Sequence, residues 1–457
     1  MKEINHLPIK FAFILWLGLF SIILYAQDTG KKTTELSETK TGWNFGALPT
    51  ITFDSDLGFQ YGALVNLYDY GNGSRYPRYN HSLYFEVSRF TKGSGINRFF
   101  YDSDQLLKGI RTTFDLSFLT DQKMDFFGFN GYESSYNPSW VDDQDMVNYH
   151  TRMFYAYDRK MLRIKVDLQK QLGNSNFWGV AGLALYNIQA GPIDLAKLNK
   201  GKADDKKLPD TDVLYDKYVN WGIISPEEKD GGWLNYLKAG ISYDSRDNEP
   251  NPMKGIWTEA VIQTAPGFLG NGSFGHTKFA IIHRQYFTLI KRDLSFAYRL
   301  AYQGTLGGKV PFYSYPLMMT TFMKGAYSEG LGGAKTLRGI LRDRIVGKGF
   351  VYGNAELRWK FVHTRFLNQN LYLALNAFWD GGMVVQKVDV NTSGVILAPD
   401  EEMSDYFSNK KESLHSSVGG GLRVAMNENF IISFDFGKAL DPQDGTTGIY
   451  IGLNYLF

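Results

Sequence analysis

The 457-residue chain contains no cysteine, almost no net charge and only one long apolar segment. Seven scattered histidines without any cysteine argue against a structural zinc site. The 49 lysines and arginines nearly cancel the 47 aspartates and glutamates, which argues against a nucleic-acid partner. A single apolar run excludes a bundle of membrane helices, because each helix needs about 20 consecutive apolar residues. We expect no metal and no cofactor.

The one apolar segment lies at the start of the chain. Residues 11–24 (FAFILWLGLFSIIL) follow the basic residues Lys2 and Lys10, and a small residue precedes position 27. This order predicts a secretory signal peptide over residues 1–26. A single membrane anchor is the alternative, but the run is short for one. The polar residues 27–42 are predicted to form a short periplasmic tail.

Aromatic residues make up 16% of the chain, and many of them alternate with polar residues. In residues 294–303, for example, Leu, Phe, Tyr, Leu and Tyr alternate with Ser, Ala, Arg, Ala and Gln. A period of two places each set on one face of a β-strand. Large apolar side chains on one face of many strands favour a barrel with lipid outside and water inside. A soluble all-β sandwich also alternates and remains the alternative.

Counting back from the C-terminus predicts nine strands, and residues 43–190 hold about seven more. We therefore predict an all-β fold, a 16-stranded transmembrane antiparallel β-barrel over residues 43–457. Long polar connections at 191–232, 307–348 and 381–415 are predicted to be outer loops, since barrels have short periplasmic turns. The nine strands lie near 233–244, 256–265, 277–290, 294–304, 349–361, 371–380, 415–425, 430–437 and 447–457.

The last predicted strand carries its own pattern. Tyr450, Gly452, Tyr455 and Phe457 fit the arrangement polar-x-Gly-x-x-aromatic-x-aromatic. This arrangement resembles the C-terminal signal that the outer-membrane assembly machinery reads. We expect residues 449–457 to form one alternating strand, with residues 449, 451, 453, 455 and 457 on the same face. Together with the export signal, this predicts localisation in a bacterial outer membrane.

Four further elements occur in order along residues 233–457. They are a hairpin containing Asp244, Arg246, Asp247 and Gly255, an L-R-G-I segment containing Arg338 and Gly339, a G-x-x-E strand motif ending at Glu356, and an F-x-D-x-G motif containing Asp380. This set resembles the signature of the BamA/TamA family of bacterial surface antigens. Ile340 stands where the family has an aromatic residue.

The resemblance implies that a long outer loop folds into the lumen and that Arg338 docks on the barrel wall. The residues themselves support such a contact, because Glu356 and Asp380 fall on the polar faces of their strands. A guanidinium group can bridge two carboxylates with charge-assisted hydrogen bonds. We expect Arg338 to meet Asp380, Glu356 or both. The simpler interpretation is that all three are ordinary lumen charges.

The resemblance also implies a function in inserting or translocating proteins at the outer membrane. The first and last strands would open sideways, and the partners would be membrane lipid, client outer-membrane or surface proteins and accessory lipoproteins. Family members usually carry periplasmic POTRA modules before the barrel, so the few residues at 27–41 predict a barrel-only member. A channel, or a scaffold that binds a surface partner, is the second hypothesis. We expect no enzyme, although a barrel enzyme is a third possibility.

Overall fold

Sixteen antiparallel strands close into one barrel in the computed structural model, in which each strand pairs with its neighbours in the chain and the first pairs with the last. The structure describes residues 40–457 except 77, 250, 320–329, 367–368 and 427–429. The strands are β1 (Trp43–Asp54), β2 (Gly58–Asp69), β3 (His81–Phe90), β4 (Ser94–Leu107), β5 (Ile110–Asp125), β6 (Ala156–Gln171), β7 (Phe177–Gly191), β8 (Gly231–Asp244), β9 (Gly255–Ala265), β10 (His276–Ile290), β11 (Leu294–Gly308), β12 (Gly349–Phe366), β13 (Gln369–Gln386), β14 (His415–Met426), β15 (Phe430–Ala439) and β16 (Thr447–Leu453).

The predicted all-β fold and the sixteen strands are confirmed. The predicted signal peptide 1–26 and nearly all of the predicted tail 27–42 lie outside the described residues. No helix in the described part of the chain is long and apolar enough to span a membrane.

The two faces of the strands are arranged as a membrane barrel requires. On β11, the inward residues Ser295, Arg299 and Gln303 are buried, whereas the outward Leu300 is 57% exposed. Large apolar residues on other strands are also exposed, for example Trp359 at 49%. A soluble sandwich buries its apolar face and exposes its polar face. The reversed arrangement here rules out that alternative and places lipid around the barrel.

Long connections gather at one end of the barrel, which we call the outer end, and shorter turns lie at the periplasmic end. Connections 126–155, 192–230 and 387–414 pack together into a structure that we call the cap. Trp140, Tyr406 and Trp221 join the three connections, with ring-centroid distances of 5.6 Å from Trp140 to Tyr406 and 5.0 Å from Trp221 to Tyr406. The cap contains three short helices, α1 (Leu195–Asn199), α2 (Leu214–Asn220) and α3 (Met403–Tyr406).

The outer connections differ in two ways from the prediction. Connection 126–155 is a long loop that the alternation in the first half of the chain did not reveal. The predicted loop 381–415 is shorter, because β13 continues through Gly381 and Gly382 as far as Gln386. Both glycines pair with β12 and β14, so they belong to the sheet and not to a turn.

The prediction of one straight strand over 449–457 was wrong. β16 ends at Leu453, and Asn454 has a φ of 68°. Asparagine tolerates this left-handed conformation better than most residues. The conformation turns residues 454–457, which we call the C-terminal tail, into the lumen. Tyr455 becomes 7% exposed, and its ring lies 4.3 Å from the guanidinium carbon of Arg358. Burial of the ring and its contact with a cation explain why the tail leaves the strand.

Candidate functional site: the lumen loop and the seam

Connection 309–348 enters the barrel, and we call it the lumen loop. The structure describes this loop except for residues 320–329. Arg338 carries its main contact with the wall. The Nε and Nη2 atoms of Arg338 donate to the two carboxylate oxygens of Asp380 at 2.9 and 3.0 Å, and its backbone N–H donates to Oδ2 at 3.0 Å. Its Nη1 lies 2.7 Å from Oε1 of Glu356. Arg338 therefore contacts both predicted partners, one on β13 and the other on β12.

Other side chains hold these two carboxylates in place. Asn354 donates to Asp380 at 2.8 Å and also to a backbone carbonyl of the lumen loop at 2.7 Å. Arg358 donates to Glu356 at 2.8 Å. The Arg338 guanidinium carbon lies only 3.5 Å from the centre of the Phe378 ring. The guanidinium is thus fixed by two carboxylates and an aromatic face together.

The cluster is almost completely shielded from water. The side chain of Arg338 is 1% exposed, and those of Glu356 and Asp380 are 0% exposed. Asp435 on β15 adds a third carboxylate, at 3.6 Å from Arg338. Buried charges are tolerated only when they are paired and hydrogen-bonded. Removing one member of the cluster therefore leaves the charges of its partners unpaired, at a high energetic cost.

Gly339 brings the lumen loop into direct backbone contact with β15. Its φ is 93°, and a Cβ at this position would lie 2.5 Å from the carbonyl carbon of Gly437. A Cβ on Gly437 would in turn lie 2.5 Å from the Arg338 carbonyl oxygen. Only two glycines allow the backbones to approach this closely. Gly339 therefore has both a conformational and a steric reason to be glycine.

The same glycine connects the lumen loop to the last strand. The backbone N–H of Gly339 donates to the hydroxyl oxygen of Tyr450 on β16 at 3.1 Å. Tyr450 is 6% exposed, and its Cα pairs with that of Asp54 on β1. Two sets of residues that the sequence suggested separately thus meet at the junction of β1 and β16, which we call the seam.

Changing Tyr450 to Phe should destabilise the folded barrel by about 1–3 kcal/mol, because the buried Gly339 N–H would lose its acceptor. The measurement is the free energy of unfolding in detergent micelles, from denaturant titration. Tyr61→Phe is the matched control, since Tyr61 is 51% exposed on the outer surface. An equal effect of the two substitutions would contradict the importance of the Gly339 contact.

Two further arginines attach the lumen loop at other points. Nε of Arg342 donates to Asp125 at the end of β5 at 2.8 Å. Arg344 donates to three backbone carbonyls, which belong to Gly131, Ser134 and Gln443, at 2.7–3.0 Å. The loop's apolar side chains join a separate buried cluster with Phe350, Tyr352 and Val384 of the wall; they include Leu331, Leu337, Ile340 and Ile345.

The predicted hairpin motif lies apart from Arg338, in the turn between β8 and β9. Arg246 forms two side-chain hydrogen bonds with Asp244, at 2.7 and 2.9 Å. Asp247 accepts from the backbone N–H groups of Met253 and Lys254. Gly255 has a φ of 108°, and a Cβ there would lie 2.4 Å from the Ser245 carbonyl oxygen. These contacts shape the turn itself.

The seam has the shortest strand register in the barrel. Its register contains only the pairs Phe53–Ile451 and Asp54–Tyr450. Beyond them, the Ser55 N–H donates to the Ile449 carbonyl at 3.1 Å, and the Ser55 hydroxyl oxygen accepts from the Ile449 N–H at 2.7 Å. β1 is fully paired with β2 from Trp43 to Asp54. Because β16 ends at Leu453, residues 43–52 of β1 pair with no described residue of β16.

Sequence reasoning missed several residues of the site. Asp435 lies on the polar face of an alternating strand, so the pattern could have placed it in the lumen. Gly437 could not be found in this way, because its role depends on a loop backbone that approaches from elsewhere. Gly452 was predicted, yet a Cβ there would come no closer than 3.6 Å to Ser433, so its surroundings do not require glycine. Among the described residues, no group of three or more His, Asp or Glu is placed to hold a metal ion.

Comparison with known families identifies the barrel. The Omp85 superfamily domain matches residues 79–457, which is most of the chain. The chain belongs to the Omp85 superfamily. The comparison with curated proteins gives no match.

Solved structures of Omp85-type barrels have the same fold. BamA from Haemophilus ducreyi lacking POTRA domains 1–3 has a TM-score of 0.52 and 14% identity, covering 91% of this chain and 71% of that chain. CdiB from Escherichia coli has a TM-score of 0.52 and 11% identity, covering 91% of this chain and 63% of that one. The protein is thus a bacterial outer-membrane barrel surrounded by lipid, and the resemblance to BamA-like barrels is confirmed.

Proposed function

We propose that this Omp85 barrel assists the insertion or translocation of client proteins by pairing their strands at the seam. The observation that carries the proposal is the two-pair register between β1 and β16. A typical backbone hydrogen bond contributes about 0.5–1.5 kcal/mol. Because the seam has few such bonds, it can open at small cost. Other strand pairs, such as β12–β13, are in register over nearly their whole length.

The edge of β1 suits such a client. Residues 43–52 keep an extended backbone through their pairing with β2, while their other edge faces no described strand. An exposed edge is a template for a further strand, and strand addition is an established mode of peptide recognition. Pro49 has no N–H group and so interrupts the row of donors along β1. Proline is common on edge strands, where it limits uncontrolled pairing.

Two of the three shortest strands also lie beside the seam. β16 has 7 residues and β15 has 10, whereas β12 and β13 have 18 each. A strand needs about 9–11 residues to cross the hydrocarbon core, so the wall is lowest where a client would leave sideways. This asymmetry supports lateral release into the bilayer.

The packing of the lumen loop against the barrel wall favours this role over free diffusion of solutes. Leu337, Arg338 and Ile340 of the lumen loop are buried at 0–1% exposure against the wall. The C-terminal tail covers the periplasmic side of the same wall near Arg358. Client outer-membrane proteins and membrane lipid are the proposed partners, and an accessory lipoprotein could bind at the cap.

Locking the seam with a disulfide should abolish function. The chain has no native cysteine, so Phe53→Cys with Ile451→Cys gives a single engineered pair at directly opposed positions. In a strain that depends on this protein, the oxidised variant should lose support for other outer-membrane barrels and surface proteins, and a reductant should restore it. The measurement is the abundance of those proteins in isolated outer membranes.

Ile262→Cys with Phe279→Cys is the matched control, because this pair joins β9 and β10 away from the seam. It should have no effect in either redox state. Normal outer-membrane composition with the seam locked would contradict the proposal. Unchanged composition together with altered solute uptake after depletion would favour the channel hypothesis.

A further inference from the structure

A buried histidine connects the outer loops where they meet the lumen loop. His415, the first residue of β14, is completely buried. Its Nδ1 lies 2.6 Å from Oδ1 of Asp444, in the connection between β15 and β16. Its Nε2 lies 3.2 Å from Oε2 of Glu412, in the cap. Both ring nitrogens therefore face carboxylate oxygens.

This geometry selects one charge state of the ring. A neutral imidazole has one N–H donor and one lone pair, whereas the protonated ring donates from both nitrogens. Carboxylate oxygens are acceptors only, so a lone pair on either ring nitrogen would face a negative charge. Glu412 also accepts from two backbone N–H groups and Asp444 from the Tyr132 hydroxyl, as ionised carboxylates do. With both carboxylates ionised, the arrangement around His415 is satisfied only by the imidazolium ion.

Tyr132 of connection 126–155 completes the cluster. Its ring stacks on His415 with centroids 3.7 Å apart, and its hydroxyl donates to Asp444 at 2.8 Å. Its backbone N–H donates to Glu412 at 2.9 Å. Burial, followed by the charge of Asp444, raises the pKa of Tyr132 well above its ordinary value, so this hydroxyl stays protonated at any physiological pH.

The remaining charges nearby come from three connections. Lys410 lies 3.4 Å from the Tyr132 ring centre and pairs with Asp441 at 2.5 Å. Nε of Arg344, from the lumen loop, lies 3.9 Å from Asp444. With His415 protonated, three cations balance the carboxylates of Asp444, Glu412 and Asp441. Without that proton, two cations face three anions, and Arg344, Asp444 and Glu412 among them are at most 2% exposed.

We propose that His415 is a proton-operated clamp that holds the cap and connection 440–446 closed over the lumen loop. The folded arrangement binds the imidazolium, so the clamp is complete at and below neutral pH while both carboxylates remain ionised. As the pH rises until the buried ring loses its proton, one hydrogen bond becomes a repulsion, and connection 126–155 keeps its contacts with Arg344 but loses the support of the His415 cluster. The outer end of the barrel should therefore open at alkaline pH.

Limited proteolysis of the full-length protein in detergent micelles tests the clamp. Between pH 6.5 and pH 9, cleavage within 126–155 and 387–414 should accelerate at least tenfold after correction for protease activity. His415→Gln, which cannot become charged, should be cleaved fast at both pH values. His150→Gln is the matched control, because His150 lies in the cap but contacts Asn148 and Trp140 instead of carboxylates.

A second measurement avoids dependence on a variant that could fail to fold. In the wild-type protein with isotope-labelled histidine, the ring resonances of His415 should report a doubly protonated ring at pH 7.5, well above the ordinary pKa of histidine of about 6.5. A neutral ring at that pH would overturn the proposal. Cleavage rates of the wild-type cap that do not change with pH would overturn it as well.

Discussion

Arg338→Met is expected to cause the largest loss of stability of any single side-chain replacement in the lumen. The substitution keeps much of the side-chain volume but leaves Asp380 and Glu356 buried without their cation. Breaking a buried ion pair by removing one partner costs about 3–5 kcal/mol. The lumen loop should undock, and the free energy of unfolding in micelles should fall by that amount. Protease sensitivity of the lumen loop should rise in parallel.

Three comparisons separate this contact from a general effect of charge. Arg78→Met should change stability by less than about 0.5 kcal/mol, because the Arg78 side chain is 74% exposed. Arg338→Lys should be intermediate, because an ammonium group cannot form the two-pronged contact with Asp380. Arg338→Asp combined with Asp380→Arg should partly restore stability relative to either reversal alone, since Glu356 still faces the new carboxylate. No rescue in stability or assembly would rule out the pairing.

The architecture could be predicted from the sequence because its physical cause is local. Alternation along each strand follows from lipid on one side and a polar lumen on the other, and it repeats in every strand. The nine strands expected after residue 232 all have observed counterparts. The C-terminal tail could not be predicted in this way. Residues 453, 455 and 457 continue the alternation, yet one left-handed residue, Asn454, redirects the chain. A contact with Arg358 of β12 decides that conformation, and no local pattern contains it.

The candidate site divides in the same way. Strand alternation predicted that Glu356 and Asp380 face the lumen, and a family resemblance implied that Arg338 reaches them. The cluster of Tyr132, His415 and Asp444 lay beyond both arguments, since its members come from connections without periodicity. Loops that are brought together only by the closed barrel cannot be paired by spacing in the chain.

Gly339→Ala is expected to have the second-largest effect. The left-handed backbone costs a residue with a Cβ about 1–2 kcal/mol, and forcing extra volume into a packed contact costs about 1–3 kcal/mol more. The new methyl group would meet the backbone of Gly437, which is held in the sheet between β14 and β16 and cannot retreat easily. The lumen loop should therefore move away from β15, and the Gly339 hydrogen bond to Tyr450 should break.

Gly437→Ala tests the same contact from the opposite side. Its effect should be smaller than that of Gly339→Ala, because Gly437 lies in an ordinary strand and only the steric part applies. Gly452→Ala is the matched control on β16, where a Cβ meets nothing closer than 3.6 Å. Both test variants should also increase crosslinking of the Phe53→Cys barrel to an added cysteine peptide, because displacement of Tyr450 weakens the seam. If Gly339→Ala destabilises the barrel without raising that crosslinking, the lumen loop supports the wall but does not control the seam.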